Sequence, residues 1–256
     1  MHTEKPLILI TNDDGITAPG IRALIEAVSD LGDVVIVAPD SPQSGMGHAI
    51  TISKPLRLDK TDIYKNLKAY QCSGTPADCV KLAVDKVLHR KPDLLISGIN
   101  HGSNSSINIL YSGTMSAAME GAIEGIPSVG FSLCNFAYDA DFSAAKKIVK
   151  IICKNTLKNG LPVGTLLNVN IPNVSELKGI KVCRQANAKW QEEFDERKDP
   201  NGRNYYWLTG KFVNNDKGDD TDEWALANNF VSVVPVHFDL TAHHAIAFVN
   251  EWDLGV

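Results

Sequence analysis

Residues 7–15 read Leu7-Ile8-Leu9-Ile10-Thr11-Asn12-Asp13-Asp14-Gly15, and this stretch predicts the fold class. Four consecutive apolar residues are typical of a parallel strand that is buried on both faces. The strand ends in two adjacent carboxylates and a glycine, and residues 21–31 then carry apolar side chains at helical intervals. A strand that ends in acids and leads into a helix is where open α/β sheets bind their ligands.

The two neighbouring acids allow two interpretations. Asp13 and Asp14 repel each other at a strand end unless a cation lies near them. Carboxylate oxygens are ligands of hard cations such as Mg²⁺, Mn²⁺ and Ca²⁺. Asp-Asp-Gly is also ordinary turn chemistry, and Asn-Asp pairs cap helices. The stretch by itself therefore predicts either a metal site or a turn.

Composition limits the classes of protein to be considered. A length of 256 residues suits one large α/β domain, or one domain with a substantial insertion. The net charge of −5 gives no general basic surface for a nucleic-acid duplex. No apolar run approaches the ~20 residues of a membrane span, and residues 1–6 show no signal-peptide pattern. With five cysteines and no Cys-x-x-Cys, we expect free thiols in a cytoplasmic protein without a membrane partner.

Strands and helices alternate along most of the chain, which predicts a mainly parallel sheet. Thr75 and Asp78 have the spacing of a capping box, so a structural role is favoured for Asp78. The further predicted strands are Val34–Ala38, Ala69–Cys72, Pro92–Ser97, Pro127–Ser132, Thr165–Pro172 and Val231–Val236; the further predicted helices run from Thr75 to about His89, from Ser112, and from Phe142 to Leu157.

Three polar loops follow the predicted strands and are expected at the same sheet edge as Asp13. They are Ser41–Thr51, Gly98–Asn104 and the helix start Ser112–Thr114. Small and hydroxyl residues allow backbone to approach a ligand closely, and a helix N-terminus binds anions. Taken separately, the loops are also explained as a flexible surface loop and a plain Ser/Thr cap. Their convergence favours a binding site.

The last third of the chain has a different character. Residues 189–222 are polar and aromatic, which is typical of a protruding hairpin used for subunit contact. Residues 214–222 lack the spacing of a calcium loop and are predicted to be a solvated loop. Asp239 and His243 would share a face if their segment were helical. Both an acid/base function and a purely structural one are open for that pair.

Several motifs occur together, in an order that is highly specific. They are Asn12–Gly15 with Ala18–Gly20, Val37–Asp40 with Gln43–Gly45, Gly74–Val80, Ser97–Asn104, Tyr111–Thr114, Ala117–Gly121 and Asp239–His243. On these motifs the chain resembles the SurE family of 5′/3′-nucleotidases over nearly its whole length.

The resemblance implies a three-layer α/β/α Rossmann-like sandwich of class α/β, in one SurE-like domain over residues 1–256. Its core is expected at about residues 5–180 plus 231–240. A protruding segment at about residues 185–230 and a C-terminal tail, 241–256, are expected to exchange elements in a homodimer or homotetramer.

The resemblance also implies a site. One divalent metal ion per subunit, Mg²⁺ or Mn²⁺, is expected on Asp13, Asp14, Ser44 and Asn100, of which Asp13, Asp14 and Asn100 are the expected catalytic residues. Substrate contacts are expected from Asn12, Gly45, Asn104, Ser112, Gly113 and Thr114. The implied reaction is metal-assisted hydrolysis of nucleoside 5′- and 3′-monophosphates, with a side activity toward polyphosphate left open.

Two other functions remain as alternatives. A haloacid-dehalogenase-like phosphatase also has an aspartate after its first strand, but needs two aspartates with one residue between them. Asp13 and Asp14 are adjacent, so on an extended backbone their side chains would point in opposite directions. A non-catalytic nucleotide-binding regulatory protein would use the same sheet edge and need no metal.

Overall fold

A nine-stranded sheet forms the centre of the computed structural model, which describes residues 5–255. The strands are β1 (Leu7–Thr11), β2 (Asp33–Pro39), β3 (Leu58–Thr61), β4 (Lys68–Cys72), β5 (Leu94–His101), β6 (Ser128–Cys134), β7 (Thr165–Pro172), β8 (Gly179–Val182), β9 (Ala188–Gln191), β10 (Phe194–Lys198), β11 (Asn204–Leu208), β12 (Lys211–Asn214) and β13 (Phe230–His237). The helices are α1 (Pro19–Val28), α2 (Pro76–Leu82), α3 (Gly113–Ile123), α4 (Ser143–Asn159), α5 (Asp222–Ala227) and α6 (Ile246–Asn250).

The strand order places a topological switch point beside β1. Across the sheet the order is β3-β4-β2-β1-β5-β6-β7-β13-β8, and the six strands from β4 to β7 in that order are parallel. The chain leaves β1 toward β2 and later returns to β5, on the other side of β1. Ligands of open α/β sheets bind at such a point, outside the carboxyl ends of the strands.

Helices cover both faces of the sheet. Alternate residues of a strand face opposite sides, so Ile8 and Ile10 pack in one core with α1 and α4. Leu9 packs in a second core with α2 and α3. The predicted α/β/α sandwich is therefore confirmed. The sheet is mixed at its ends, because β3 is antiparallel to β4 and β13 is antiparallel to β7.

The helix that starts at Thr75 differs from its prediction at the far end only. Its capping box is present: the Asp78 N–H donates to Thr75 Oγ1 at 3.2 Å, and the Thr75 N–H donates to Asp78 Oδ2 at 2.9 Å. The α-helix ends at Leu82 and continues as a π-helical turn over Ala83–Val87, short of the predicted His89.

Two small ribbons, β9 with β12 and β10 with β11, lie outside the main sheet in the described chain. The prediction of a solvated loop is wrong for its last residues, because Thr221 is fully buried and Asp222 is 1% exposed. The Asp222 carboxylate accepts hydrogen bonds from the N–H groups of Ser106 at 2.7 Å and Ala186 at 2.9 Å. These bonds attach α5 to the sheet edge.

Other predictions about the termini and the surface have different outcomes. All five cysteines are free, and no helix within residues 5–255 combines the length and hydropathy needed to cross a bilayer. The domain limits and the use of residues 185–230 and 241–256 in oligomers stay predictions. Residues 1–4, part of the segment without a signal-peptide pattern, and Val256, the end of the tail, lie outside the described residues.

We predict that Asp222→Ala lowers the free energy of unfolding by about 1–3 kcal/mol, because it leaves two buried N–H donors without an acceptor. Urea denaturation followed by circular dichroism measures the loss. Asp219→Ala is the matched control, since Asp219 is exposed in the same segment. Equal stability of the two variants would contradict the structural role of Asp222.

Candidate functional site

The predicted loops meet at one cavity of about 650 Å³. It lies outside the carboxyl ends of β1 and β5, at the switch point. Seven of the residues predicted from the sequence line it: Asp13, Asp14, Ser44, Gly45, Asn100, Asn104 and Ser112. The other three, Asn12, Gly113 and Thr114, are buried and do not line the cavity.

The turn after β1 is tied to both neighbouring loops. The Gln43 N–H donates to the Asp13 carbonyl oxygen at 2.8 Å, which holds the Ser44 loop (residues 41–51) beside the acids. On the other side α3 begins directly against Asp13. A Cβ atom on Gly113 would lie 2.7 Å from the Cβ of Asp13, so this close approach requires glycine.

Asp13 is a buried carboxyl, only 4% exposed. Burial disfavours its charge and Asp14 repels it, so together they raise the pKa of Asp13 to about 6. Hydrogen bonds from Thr114, whose hydroxyl donates to Asp13 Oδ1, act in the opposite direction. Thr114 is fully buried, and its hydroxyl holds Asp13; its contact with substrate stays a prediction.

Asp14 has an oxygen with no partner. Its Oδ2 atom is buried and accepts no hydrogen bond from the described residues. Burial raises the pKa of Asp14, an effect that the neighbouring His101 partly offsets. A buried carboxylate oxygen without a donor is unfavourable unless a proton or a cation lies beside it. Asp14 Oδ2 is thus the position in the site where positive charge fits best.

The donor atoms around that position are oxygens. The amide nitrogen of Asn100 donates to the Gly102 carbonyl at 2.9 Å, which leaves the amide oxygen for a ligand. Ser44 contributes a hydroxyl on an exposed loop. Residues 5–255 contain no group of three or more His, Cys, Asp and Glu side chains arranged for a metal. The set therefore fits a hard cation better than zinc.

The predicted substrate residues are largely occupied by internal hydrogen bonds. The Ser112 hydroxyl caps α3 by accepting from the Met115 N–H at 3.1 Å. The amide nitrogen of Asn104 donates to Ser132 Oγ at 2.9 Å, and that of Asn12 to the Gly15 carbonyl at 2.9 Å. Asn104 and Ser112 still line the cavity, whereas Asn12 shapes the turn beneath it.

The expectation that the Asp13 and Asp14 side chains point in opposite directions depends on a backbone geometry that the structure does not have. It assumed an extended backbone, but β1 ends at Thr11 and the chain bends at both aspartates. Both residues therefore line the same cavity.

An aromatic wall (Tyr111, Phe136, Trp190 and Phe212) was missed by the sequence analysis. Trp190 of β9 donates from Nε1 to Asn108 Oδ1 at 2.8 Å, and its ring packs edge-on against Phe212 at 5.6 Å. Aromatic residues in a polar segment were the only signal, and they equally predicted a subunit contact. Glu223 and Cys134 also line the cavity without having been predicted.

Asp239 and His243 lie elsewhere. Their side chains pair at 3.1 Å on the surface, with His243 72% exposed. They do not line the cavity, and no observation connects them with Asp13.

This arrangement defines an α/β protein with an acidic, ligand-accessible cavity at its switch point.

A family model, survival protein SurE, matches residues 8–192. The chain is 66% identical to 5′-nucleotidase SurE of Christiangramia forsetii over the whole of both chains. It is 62% identical to 5′-nucleotidase SurE of Flavobacterium psychrophilum, covering 98% of this chain and 99% of the relative. The crystal structure of SurE protein from Aquifex aeolicus superimposes with a TM-score of 0.84 at 44% identity, covering 96% of this chain and 98% of that one. The chain belongs to the SurE family, as its motifs predicted.

We predict that Asp13→Asn stabilises the protein at pH 7 in the presence of a chelator. The pKa of Asp13 is about 6 in the folded chain against 3.8 ordinarily, so folding favours its protonated form. That contribution is complete below about pH 4 and is lost as the pH rises through 6. One pKa unit corresponds to about 1.4 kcal/mol, so the variant is expected to gain about 1–3 kcal/mol at pH 7.

Chemical denaturation of both proteins between pH 4 and pH 7 measures this difference, which is expected to shrink toward pH 4. Asp33→Asn, at an exposed position, is expected to show no such trend. A wild-type protein that is as stable as Asp13→Asn at pH 7 would contradict the assignment.

Proposed function

We propose that this chain is a divalent-metal-dependent phosphatase that hydrolyses nucleoside 5′- and 3′-monophosphates to nucleoside and phosphate. One observation carries the proposal. Three carboxylates (Asp13, Asp14 and Glu223) line the cavity, but no lysine or arginine is present among the described residues that line it. A phosphate group bound there needs more positive charge than the start of α3 supplies, and no lysine or arginine of the described cavity wall adds to it. The relatives named 5′-nucleotidase support the activity.

Asp13, Asp14, Ser44 and Asn100 are the residues that would hold the metal, with Mg²⁺ or Mn²⁺ preferred by their oxygen atoms. The unpartnered Oδ2 of Asp14 is the atom that most needs such a ligand. When bound, the cation supplies positive charge to the phosphoryl group and lowers the pKa of water.

The chain's own residues bind and orient the phosphate. Thr114 holds Asp13 by its hydroxyl. The eleven-residue helix α3 begins directly after its N-cap, Ser112, which lies in the cavity wall. The positive end of its helix dipole favours an anion near Ser112 and Asn104. Burial raises the pKa of Cys134 to about 11, so this thiol is neutral and not a nucleophile. Hydrolysis by water therefore fits the cavity best.

The aromatic wall supports a nucleoside as the leaving group. Trp190 and Phe212 lie on the two-stranded ribbon of β9 and β12, outside the main sheet. The side chain of Asn108 fixes the indole of Trp190. Bases stack on aromatic faces with little sequence preference. This wall and the acidic residues are parts of the same cavity, which suits a phosphate attached to a nucleoside.

The first prediction from this proposal is metal dependence. The protein stripped of metal should release no phosphate from AMP, GMP or 3′-AMP, and Mg²⁺ or Mn²⁺ added singly should restore release. Asp13→Asn should lose at least about 100-fold in kcat/KM, since it removes a charge of the proposed metal set. A malachite-green assay measures both effects, with tripolyphosphate as an additional substrate for the side activity.

The alternatives give different results in the same experiment. A non-catalytic nucleotide-binding protein would bind AMP without metal and release no phosphate. A haloacid-dehalogenase-like enzyme would leave a covalent phosphate on Asp13, detectable by mass spectrometry. Release that is independent of added metal would contradict the proposal.

The second prediction concerns Trp190. Trp190→Ala should raise the KM for AMP about 5- to 150-fold, because stacking on a base is worth about 1–3 kcal/mol. Ribose 5-phosphate carries no base, so its KM should stay within about twofold. Tyr206→Ala is the control, as Tyr206 is an exposed aromatic residue of β11 that does not line the cavity. An equal rise for both substrates would contradict base stacking.

A further inference from the structure

A buried ionic cluster lies outside the cavity, in the middle of α3. Glu120 is 3% exposed, and its carboxylate accepts from His48 Nε2 at 2.9 Å and pairs with Lys81 Nζ at 2.7 Å. Burial acts to raise the pKa of Glu120, but the hydrogen bonds from His48 and Lys81 outweigh it and lower the pKa. Carboxylates are rarely buried without such partners. Nothing in the proposed reaction uses this group.

The two partners of Glu120 come from different elements. Lys81 belongs to α2, which packs beside α3. His48 belongs to the Ser44 loop, four residues after Ser44 itself. The same carboxylate therefore joins α2, which does not line the cavity, to the Ser44 loop, which forms part of the cavity wall.

The Ser44 loop contains no helix or strand, so its shape depends on such attachments. Its cavity residues, Ser44 and Gly45, are exposed. Its second half is held by hydrogen bonds from Ser116 Oγ to the Gly47 carbonyl at 2.5 Å, from the Gly47 N–H to the Tyr111 carbonyl at 3.2 Å, from Thr75 Oγ1 to the Ala49 carbonyl at 2.7 Å, and from the Thr51 N–H to Asp78 Oδ1 at 3.1 Å. The His48–Glu120 pair is the one bond between two side chains among these contacts.

Helix α3 thus organises both sides of the candidate metal set. Its first turn holds Asp13 through Thr114, and two turns later Glu120 holds the loop that carries Ser44. We infer that Glu120 is a positioning residue, which acts through His48 to fix Ser44 against the two aspartates. The inference rests on the proposed function, since it assigns Ser44 to the metal.

A comparison of His48 with Lys81 separates positioning from stability. Removal of either side chain takes one hydrogen-bond partner from the same buried carboxylate, so both variants should lose stability. Only His48 lies on the Ser44 loop. A positioning function requires a loss of metal affinity in the His48 variant that the Lys81 variant does not share.

The experiment measures Mn²⁺ binding by electron paramagnetic resonance. Mn²⁺ is titrated into the wild type and into four variants: His48→Ala, His48→Gln, Lys81→Ala and Glu124→Gln. His48→Ala should weaken Mn²⁺ binding about 10- to 100-fold, as loss of outer-shell partners does in other metal sites. Lys81→Ala should stay within about twofold of the wild type. His48→Gln keeps a donor for Glu120 and should recover most of the affinity. Glu124→Gln is the control, an exposed glutamate one turn further along the chain.

Thermal unfolding confirms that each variant is folded before it is titrated. Equal losses of Mn²⁺ affinity in His48→Ala and Lys81→Ala, or no loss in either, would overturn the positioning function while leaving the metal site intact. A wild-type protein that does not bind Mn²⁺ would overturn the proposed function as well, so the two failures are distinct. The kcat and KM for AMP are measured on the same samples, and kcat is expected to follow Mn²⁺ affinity.

Discussion

The contact between Asp13 and the start of α3 is the constraint on which the rest of the site depends. Gly113 brings the helix so close that no side chain fits there, and the Thr114 hydroxyl donates to the Asp13 carboxylate. That bond lies where water is excluded, so it is stronger than an exposed one and its loss more costly. It fixes an acid that burial would otherwise drive toward protonation. The unfavourable burial of the Asp13 carboxylate is thus a consequence of the close packing of α3 against the end of β1.

Topology explains why residues so far apart in sequence meet there. The strand pair β1 and β5 is adjacent in the sheet although some eighty residues separate the two strands in the chain, and the loop after β2 returns to the same edge. Asp14 follows β1, Ser44 follows β2, and Asn100 lies near the carboxyl end of β5. Their convergence is a consequence of a parallel order with a switch point, because every carboxyl end then faces the same side.

Much of this fold could be predicted from local patterns. The apolar run at residues 7–10 and the Thr75–Asp78 capping box each depend on residues that are close together in the sequence. Their structures therefore follow from local interactions. Asp222 could not be placed in this way, because its partner N–H groups belong to residues 106 and 186. Trp190 is a similar case. An exposed aromatic strand looks the same in sequence whether it covers a ligand or a second subunit. The bond from Trp190 to Asn108, 82 residues away in the chain, could not be read from neighbouring residues.

The distribution of charge bears on whether this protein binds nucleotides or hydrolyses them. Proteins that hold phosphate without a metal do so with lysine, arginine or several free backbone N–H groups. In this chain Lys81 is paired with Glu120 and Arg184 with Asp216, both away from the cavity wall. The cavity itself presents three carboxylates to any phosphate that enters. In a metal-free site these carboxylates would oppose the attraction that the start of α3 exerts on a phosphate. With the proposed divalent cation among them, the same acids would hold the cation, and the cation would attract the phosphate. The electrostatics of the wall therefore favour the hydrolase over the regulatory protein, independently of any likeness to named relatives.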